Sequence, residues 1–303
     1  MGRLFHDPVF EIRCLFSSPW IRKNQPSPKK SIRISIFVHI NLQNSNMTLL
    51  SEIKNSVLTL TLNRPKVFNS FNQEMAFALQ NQLDAAVDNP EVRAIVITGN
   101  GKAFCAGQDL AEATDPNGPP LQSIVAKHYN PIIMKIRNIE KPVIAAVNGV
   151  AAGAGANIAL ACDIVFAGES ASFIQAFSKI GLIPDSGGTF MLPRLIGMQK
   201  ATALMMTADK VMAAEAEQMG MIYQQVSDDL LIETVAQFAE KLAQMPTKGL
   251  GLTKRALNAS FTNNLEQQLN VEEELQTIAG STNDFKEGTA AFLEKRRPVF
   301  KGE

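Results

Sequence analysis

The chain has 303 residues, 46% hydrophobic and 19% charged, which is the composition of a globular protein of one large or two ordinary domains. Its 29 basic and 29 acidic side chains cancel, so no general attraction to nucleic acid or to an anionic membrane is expected. Three cysteines (Cys14, Cys105, Cys162) cannot form a disulfide framework and point to a reducing, cytoplasmic compartment, while three scattered histidines (His6, His39, His128) offer no typical zinc site.

Residues 1–46 stand apart. They carry seven Lys/Arg against two acids, a net of +5, whereas residues 47–303 carry a net of −5. No helical or strand period runs through this leader. Its basic character suggests a transit peptide, but it lacks the amphipathic, acid-free pattern, and it fits better a disordered extension or a misannotated stretch preceding a true start at Met47.

From Met47 onward, Leu58 to Leu62 alternates apolar and polar with period two and predicts a strand with one buried face, ended by Asn63-Arg-Pro65. Asn72 can cap a helix in which Met75, Leu79, Leu83 and Ala86 recur at helical spacing. Ala94 to Thr98 reads as a buried strand, Ile124 to Ile136 as a helix with a possible bend at Pro131, and Val143–Val147 and Ile164–Ala167 as further strands. The 21 uncharged residues from Pro142 to Cys162 could span a bilayer by length, but Ala and Gly dominate them; they read as strand, glycine turn and buried helix. Beyond about residue 200 only helical patterns of any length appear: 200–208, 213–219, 229–242, 247–260, 265–279 and 284–295. The expectation is an α/β core over 47–240 followed by a helical region over 241–303.

Three turns could carry chemistry. Ala103-Phe-Cys-Ala-Gly-Gln-Asp109 follows one strand, and Asn148-Gly-Val-Ala-Ala-Gly-Ala-Gly155 follows another and opens a helix. Backbone N–H groups at such places can hold an oxyanion, although tight strand-to-helix packing explains the small residues equally well. Gly181-Leu-Ile-Pro-Asp-Ser-Gly-Gly-Thr189 places Asp185 ahead of a helix, where it is either an N-cap or a general acid/base in an apolar pocket. His128 reads as a packing or surface residue, and Cys105 and Cys162 as inert buried thiols.

Taken together, Leu62-Asn-Arg-Pro-Lys-Val-Phe-Asn69, Phe104-Cys-Ala-Gly-Gln-Asp109, Lys141-Pro-Val-Ile-Ala-Ala-Val-Asn-Gly149, Ala161-Cys-Asp163 and Gly188-Thr-Phe-Met-Leu-Pro-Arg194 resemble the crotonase (enoyl-CoA hydratase/isomerase) superfamily over residues 50–303. The resemblance implies an α/β spiral of ββα units with a C-terminal helical trimerisation region, assembling as a homotrimer or hexamer. It also implies an acyl-CoA substrate whose thioester oxygen is held by the backbone N–H groups of Gln108 and Ala154. No cofactor beyond the coenzyme A of the substrate, no metal, no nucleic acid and no membrane partner are implied. Arg64, Lys66, Val67, Ala106, Asp109, Asn157 and Phe177 would contact substrate or CoA, with Arg64 and Lys66 either facing the adenosine phosphates or serving as ordinary surface charge.

The family's hydratases use two glutamates, and the corresponding positions here look like Asn157 and Phe177. The remaining catalytic slot holds Asp185. One carboxylate beside an oxyanion hole is the equipment of an isomerase. Further phrases, including Tyr129-Asn-Pro131 and Ala176-Phe-Ser-Lys-Ile-Gly-Leu-Ile-Pro-Asp185, resemble the branch of phenylacetate catabolism. That branch converts ring-1,2-epoxyphenylacetyl-CoA to oxepin-CoA and shifts β,γ double bonds of dehydroadipyl-CoA to α,β. The alternatives are a straight-chain Δ3,Δ2-enoyl-CoA isomerase, then a hydratase-like enzyme, a hydrolytic dehalogenase or a non-catalytic crotonase-fold binding protein.

Overall fold

The protein is described here from a computed structural model, in which residues 47–303 are described; the expectations for residues 1–46, Cys14 included, lie outside them. Strand β1 (Leu49–Lys54) pairs antiparallel with β2 (Val57–Leu62), whose alternating Leu58, Leu60 and Leu62 are all buried. Helix α1 (Gln73–Val87) starts where expected, because the Asn72 side chain accepts the Met75 N–H at 3.0 Å. It buries Met75, Leu79, Leu83 and Ala86, the stripe its 3.6-residue period lines up.

A repeating unit follows. Strand β3 (Ala94–Gly99) runs in the first sheet and β4 (Ala103–Cys105) in a second; then come α2 (Leu110–Ala113), a π-helical turn at Ile124–Tyr129 and α3 (Asn130–Asn138). The same alternation returns in β5 (Val143–Val147), β6 (Val150–Ala152) and α4 (Ala154–Ala161), and in β7 (Ile164–Gly168) and β8 (Ser172–Ile174) before α5 (Gly188–Ile196). The chain continues through α6 (Met198–Thr207), β9 (Lys210–Met212), α7 (Ala213–Gln218), β10 (Gln224–Val226), α8 (Leu231–Ala243), α9 (Thr247–Ser260), α10 (Leu265–Gly280) and α11 (Asn283–Leu293).

The larger sheet has the order β1-β2-β3-β5-β7-β10 and is parallel except for β1; the smaller is β4-β6-β8-β9, parallel except for β9. Each ββα unit therefore contributes one strand to each sheet, which is the expected α/β spiral. The second sheet corrects the sequence reading, which took β4 and β6 as parts of turns. Three-residue strands are too short to display a period. The irregularity expected at Pro131 takes the form of the π-turn that runs into α3 just ahead of it; the Lys127 carbonyl, which a residue with an N–H at 131 would meet, accepts the Gln80 side-chain amide at 2.8 Å instead.

Residues 142–162 resolve into β5, β6 and α4, all eight residues of α4 being buried. No helix among the described residues is long and apolar enough to cross a membrane. Asn46–Glu303 forms one compact unit. The C-terminal helices are tied to the core by Lys254 of α9, only 8% exposed, whose ammonium meets Asp163 at 2.7 Å and the Ile136 carbonyl at 2.7 Å.

Candidate active site

The site is assembled where the β4 and β6 strand ends meet. Gly107 has φ +93°, and a Cβ placed on it would lie 2.9 Å from the Ala152 oxygen and 3.5 Å from the Ala154 nitrogen. Only glycine allows this approach without strain. The two turns predicted to carry backbone donors are thus in contact.

Their donors point usefully. The Gly107 carbonyl accepts the Phe71 N–H at 2.7 Å, and in a trans peptide the N–H on the other side of the same plane, that of Gln108, faces the opposite way. The Asp109 N–H returns to the Phe71 oxygen at 2.8 Å, completing an isolated bridge between Phe71 and Gln108. Among the described residues the Gln108 N–H has no acceptor. Ala154 is the first residue of α4, where a helix has no carbonyl for the N–H, and the positive end of the dipole lies there. Two N–H groups without acceptors among the described residues are the kind of donor that can stabilise a developing oxyanion.

Asp185, the third residue singled out in the sequence, lies on the segment ahead of α5. It is not the N-cap of α5: that position is held by Gly187, and Asp185 instead gives its backbone oxygen to the Gly188 N–H at 2.8 Å. Its carboxylate receives the Ser186 hydroxyl on Oδ1 at 2.8 Å, and Oδ2 has no partner among the described residues. Burial pushes its pKa above the ordinary aspartate value, and the Ser186 hydrogen bond pulls it part of the way back. Ser186 itself is buried and sits at φ +50°, in the left-handed region.

The other two nearby carboxylates are engaged on both oxygens. Asp109 accepts Arg64 at 2.8 Å on Oδ2 and the Ala111 N–H at 3.0 Å on Oδ1, capping α2. Glu112 accepts the Gln73 N–H on Oε1 and the Gln108 side-chain amide on Oε2, both at 2.9 Å. Asn157 is 1% exposed, with its amide nitrogen on the Asp185 backbone oxygen and its amide oxygen taking Gln175, each at 2.8 Å. Phe177 is buried with its ring edge beside Gly153, the residue preceding α4.

The remaining predicted contacts divide. Arg64 is tied to Asp109 and, at 2.6 Å, to the Ser70 carbonyl, so its guanidinium braces the turn. Lys66 and Val67 lie exposed in the short 3₁₀ turn that follows, and Ala106 is exposed at the mouth of the Gly107 turn. His128 is buried against the Phe77 ring, 5.3 Å between centroids, as a packing residue. Cys105 and Cys162 are fully buried, with burial raising both thiols to about 12, so neither is a thiolate at neutral pH. Two contributors escaped the sequence reading, Ser186 and the Tyr129 hydroxyl, which donates to the Gln108 side-chain oxygen at 2.7 Å.

A family profile described as enoyl-CoA hydratase/isomerase matches residues 52–303. The chain belongs to the crotonase (enoyl-CoA hydratase/isomerase) family. Among curated members, it is 48% identical to the 1,2-epoxyphenylacetyl-CoA isomerase of Escherichia coli over 84% of this chain and 98% of that protein. It is 44% identical to a probable enoyl-CoA hydratase of Rhodobacter capsulatus, with the same shares covered. Among solved crotonase structures, a putative enoyl-CoA hydratase/isomerase from Mycobacterium abscessus superposes with a TM-score of 0.80 at 35% identity, covering 84% of this chain and all of that one. These relatives make the chain a crotonase-family enzyme on a crotonase fold.

Proposed function

We propose that this enzyme isomerises acyl-CoA thioesters through Asp185 alone, converting ring-1,2-epoxyphenylacetyl-CoA to oxepin-CoA and moving the β,γ double bond of dehydroadipyl-CoA to α,β. The observation that carries the single-carboxylate reading is that Asp185 keeps one oxygen without a protein partner, while Asp109 and Glu112 have both oxygens committed. Activating water for addition calls for a second acid/base group, and Asn157, locked between Gln175 and the Asp185 backbone, cannot take a proton.

In the double-bond shift, Asp185 Oδ2 takes the proton from the α-carbon. The electron pair passes into the thioester, and the dienolate oxygen rests on the Gln108 and Ala154 N–H groups. The same carboxyl group, now protonated, returns the proton to the γ-carbon, and the double bond settles between the α- and β-carbons. Nothing is gained or lost overall, so no cofactor is required beyond the coenzyme A of the substrate. The raised proton affinity of Asp185 suits this role, because a shuttle must both take and release its proton near neutral pH. Lys66, exposed in its 3₁₀ turn, is proposed to meet the CoA phosphates, and buried Phe177 to border the acyl group. A homotrimer or hexamer acting in the cytoplasm completes the proposal.

The identity to the E. coli isomerase supports the ring-derived substrates over a straight chain. Competition between the two classes tests it: β,γ-dehydroadipyl-CoA should be isomerised much faster than a straight-chain 3-enoyl-CoA. The reverse preference would assign the enzyme to straight-chain Δ3,Δ2 isomerisation.

A further inference from the structure

Gln108 attracts attention for its side chain as well as its backbone. The amide oxygen accepts the Tyr129 hydroxyl at 2.7 Å, and the amide nitrogen donates to Glu112 Oε2 at 2.9 Å and to the Asp109 carbonyl at 3.3 Å. Tyr129 is 1% exposed and packs against Phe71, 5.9 Å between ring centroids. Phe71 is the residue whose backbone brackets Gln108 from the other side. Three separated segments therefore converge on one residue: the end of the π-turn with Tyr129, helix α2 with Glu112, and the start of α1, whose Gln73 N–H holds Glu112.

We propose that Tyr129 and Glu112 are positioning residues for the oxyanion hole, gripping the Gln108 side chain from two sides so that its backbone N–H stays aimed at the substrate carbonyl. This rests on the oxyanion role of Gln108 in the reading above. The need for the grip lies one residue earlier. Gly107 has no Cβ to limit its φ and ψ, so rotation about it would tilt the peptide plane carrying the Gln108 N–H. An oxyanion hole works because its dipoles need no reorganisation when charge develops. With Gln108 anchored at its side chain and by the Phe71 bridge, that tilting is suppressed from both ends. Tyr129 is the last residue of the π-turn, and such bulges are frequent at functional sites. Burial and the surrounding carboxylates push the Tyr129 pKa well above the usual tyrosine value, so the hydroxyl stays protonated and able to donate.

The test uses the full chain with Tyr129→Phe, Glu112→Ala and Glu112→Gln, and Asp185→Asn as reference. Removing an oxyanion donor outright costs about 10²–10³ in kcat, so loosening one should cost roughly tenfold to thirtyfold, with KM changed by less than about twofold. Glu112→Gln, which keeps an acceptor oxygen, should recover at least half of the loss seen in Glu112→Ala. A second readout does not depend on turnover: the infrared carbonyl band of bound hexanoyl-CoA, ¹³C-labelled at the thioester carbon. It should shift to lower frequency in the unaltered enzyme and in Asp185→Asn, and regain much of its solution frequency in Tyr129→Phe. An unchanged kcat together with an unchanged carbonyl band in Tyr129→Phe would overturn the proposal. Full activity in Asp185→Asn would instead overturn the proton-shuttle reading, and the band would still decide the grip. Should Tyr129→Phe not fold, the Glu112 pair carries the same comparison.

Discussion

Removing the Ser186 hydroxyl isolates the one hydrogen bond that opposes burial at Asp185. In Ser186→Ala the side chain keeps its Cβ, so the left-handed backbone at φ +50° carries the same strain before and after. What is lost is a 2.8 Å bond from a buried hydroxyl to the carboxylate. A hydrogen bond to a charged group contributes about 1.5–3 kcal/mol, and 1.36 kcal/mol corresponds to one pH unit. The bond favours the ionised form, so its loss raises the proton affinity of a group whose proton affinity burial has already raised. The active form before proton abstraction is the carboxylate. The acid limb of the kcat/KM–pH profile should therefore move upward by about one to two pH units, leaving the alkaline plateau within a few-fold of the original. Rates of double-bond migration followed by ultraviolet absorbance between pH 5 and 9 measure this. An acid limb that stays in place, or moves to lower pH, refutes the assignment of Ser186 as the partner that holds Asp185 ionised.

Other perturbations separate structure from chemistry. Arg64→Ala loses two bonds inside the protein and should lower the thermal midpoint, whereas Lys66→Ala should leave it unmoved while raising KM for the CoA thioester in a salt-dependent way; calorimetry and steady-state kinetics on both variants check this. Lys254→Ala removes one of the two cations on half-buried Asp163, Arg137 remaining at 3.1 Å, and should destabilise by about 1.5–3 kcal/mol in urea titrations, with kcat little changed in the folded fraction. Asp185→Asn should be at least as thermally stable as the unaltered enzyme at pH 7, and the excess should shrink as the pH falls. The folded-state pKa lies above the unfolded one, so ionised Asp185 opposes folding at neutral pH, and that penalty disappears once the group is protonated. A variant that is inactive and destabilised at pH 7 would contradict this.

Much of the architecture was legible where burial imposes a period. Leu58, Leu60 and Leu62 announce a half-buried strand, and Asn72 with Met75, Leu79 and Leu83 announces a capped helix, because in each case one face must leave water. β1 escaped because it lies at the sheet edge with four of its six residues exposed, which erases the alternation. The second sheet escaped because β4, β6, β8 and β9 have three residues each. At the site, the glycine turns and Asp185 stood out as local patterns. Local spacing allowed Asp185 to cap a helix, and the structure gives that cap to Gly187 instead. The role of Arg64 as a brace, and the Tyr129 to Gln108 bond across 21 residues, depend on which segments meet in space, and nothing in local spacing encodes them.

In the proposed reaction one carboxylate carries the proton from one carbon to the other. The unaltered enzyme and Asp185→Asn, incubated in deuterated water with β,γ-dehydroadipyl-CoA and followed by NMR and mass spectrometry, address it most directly. The unaltered enzyme should move the double bond rapidly, and the variant should lose at least about a thousandfold in rate while still binding the thioester. Undiminished migration in Asp185→Asn would contradict this reaction, as would water addition in place of migration by the unaltered enzyme.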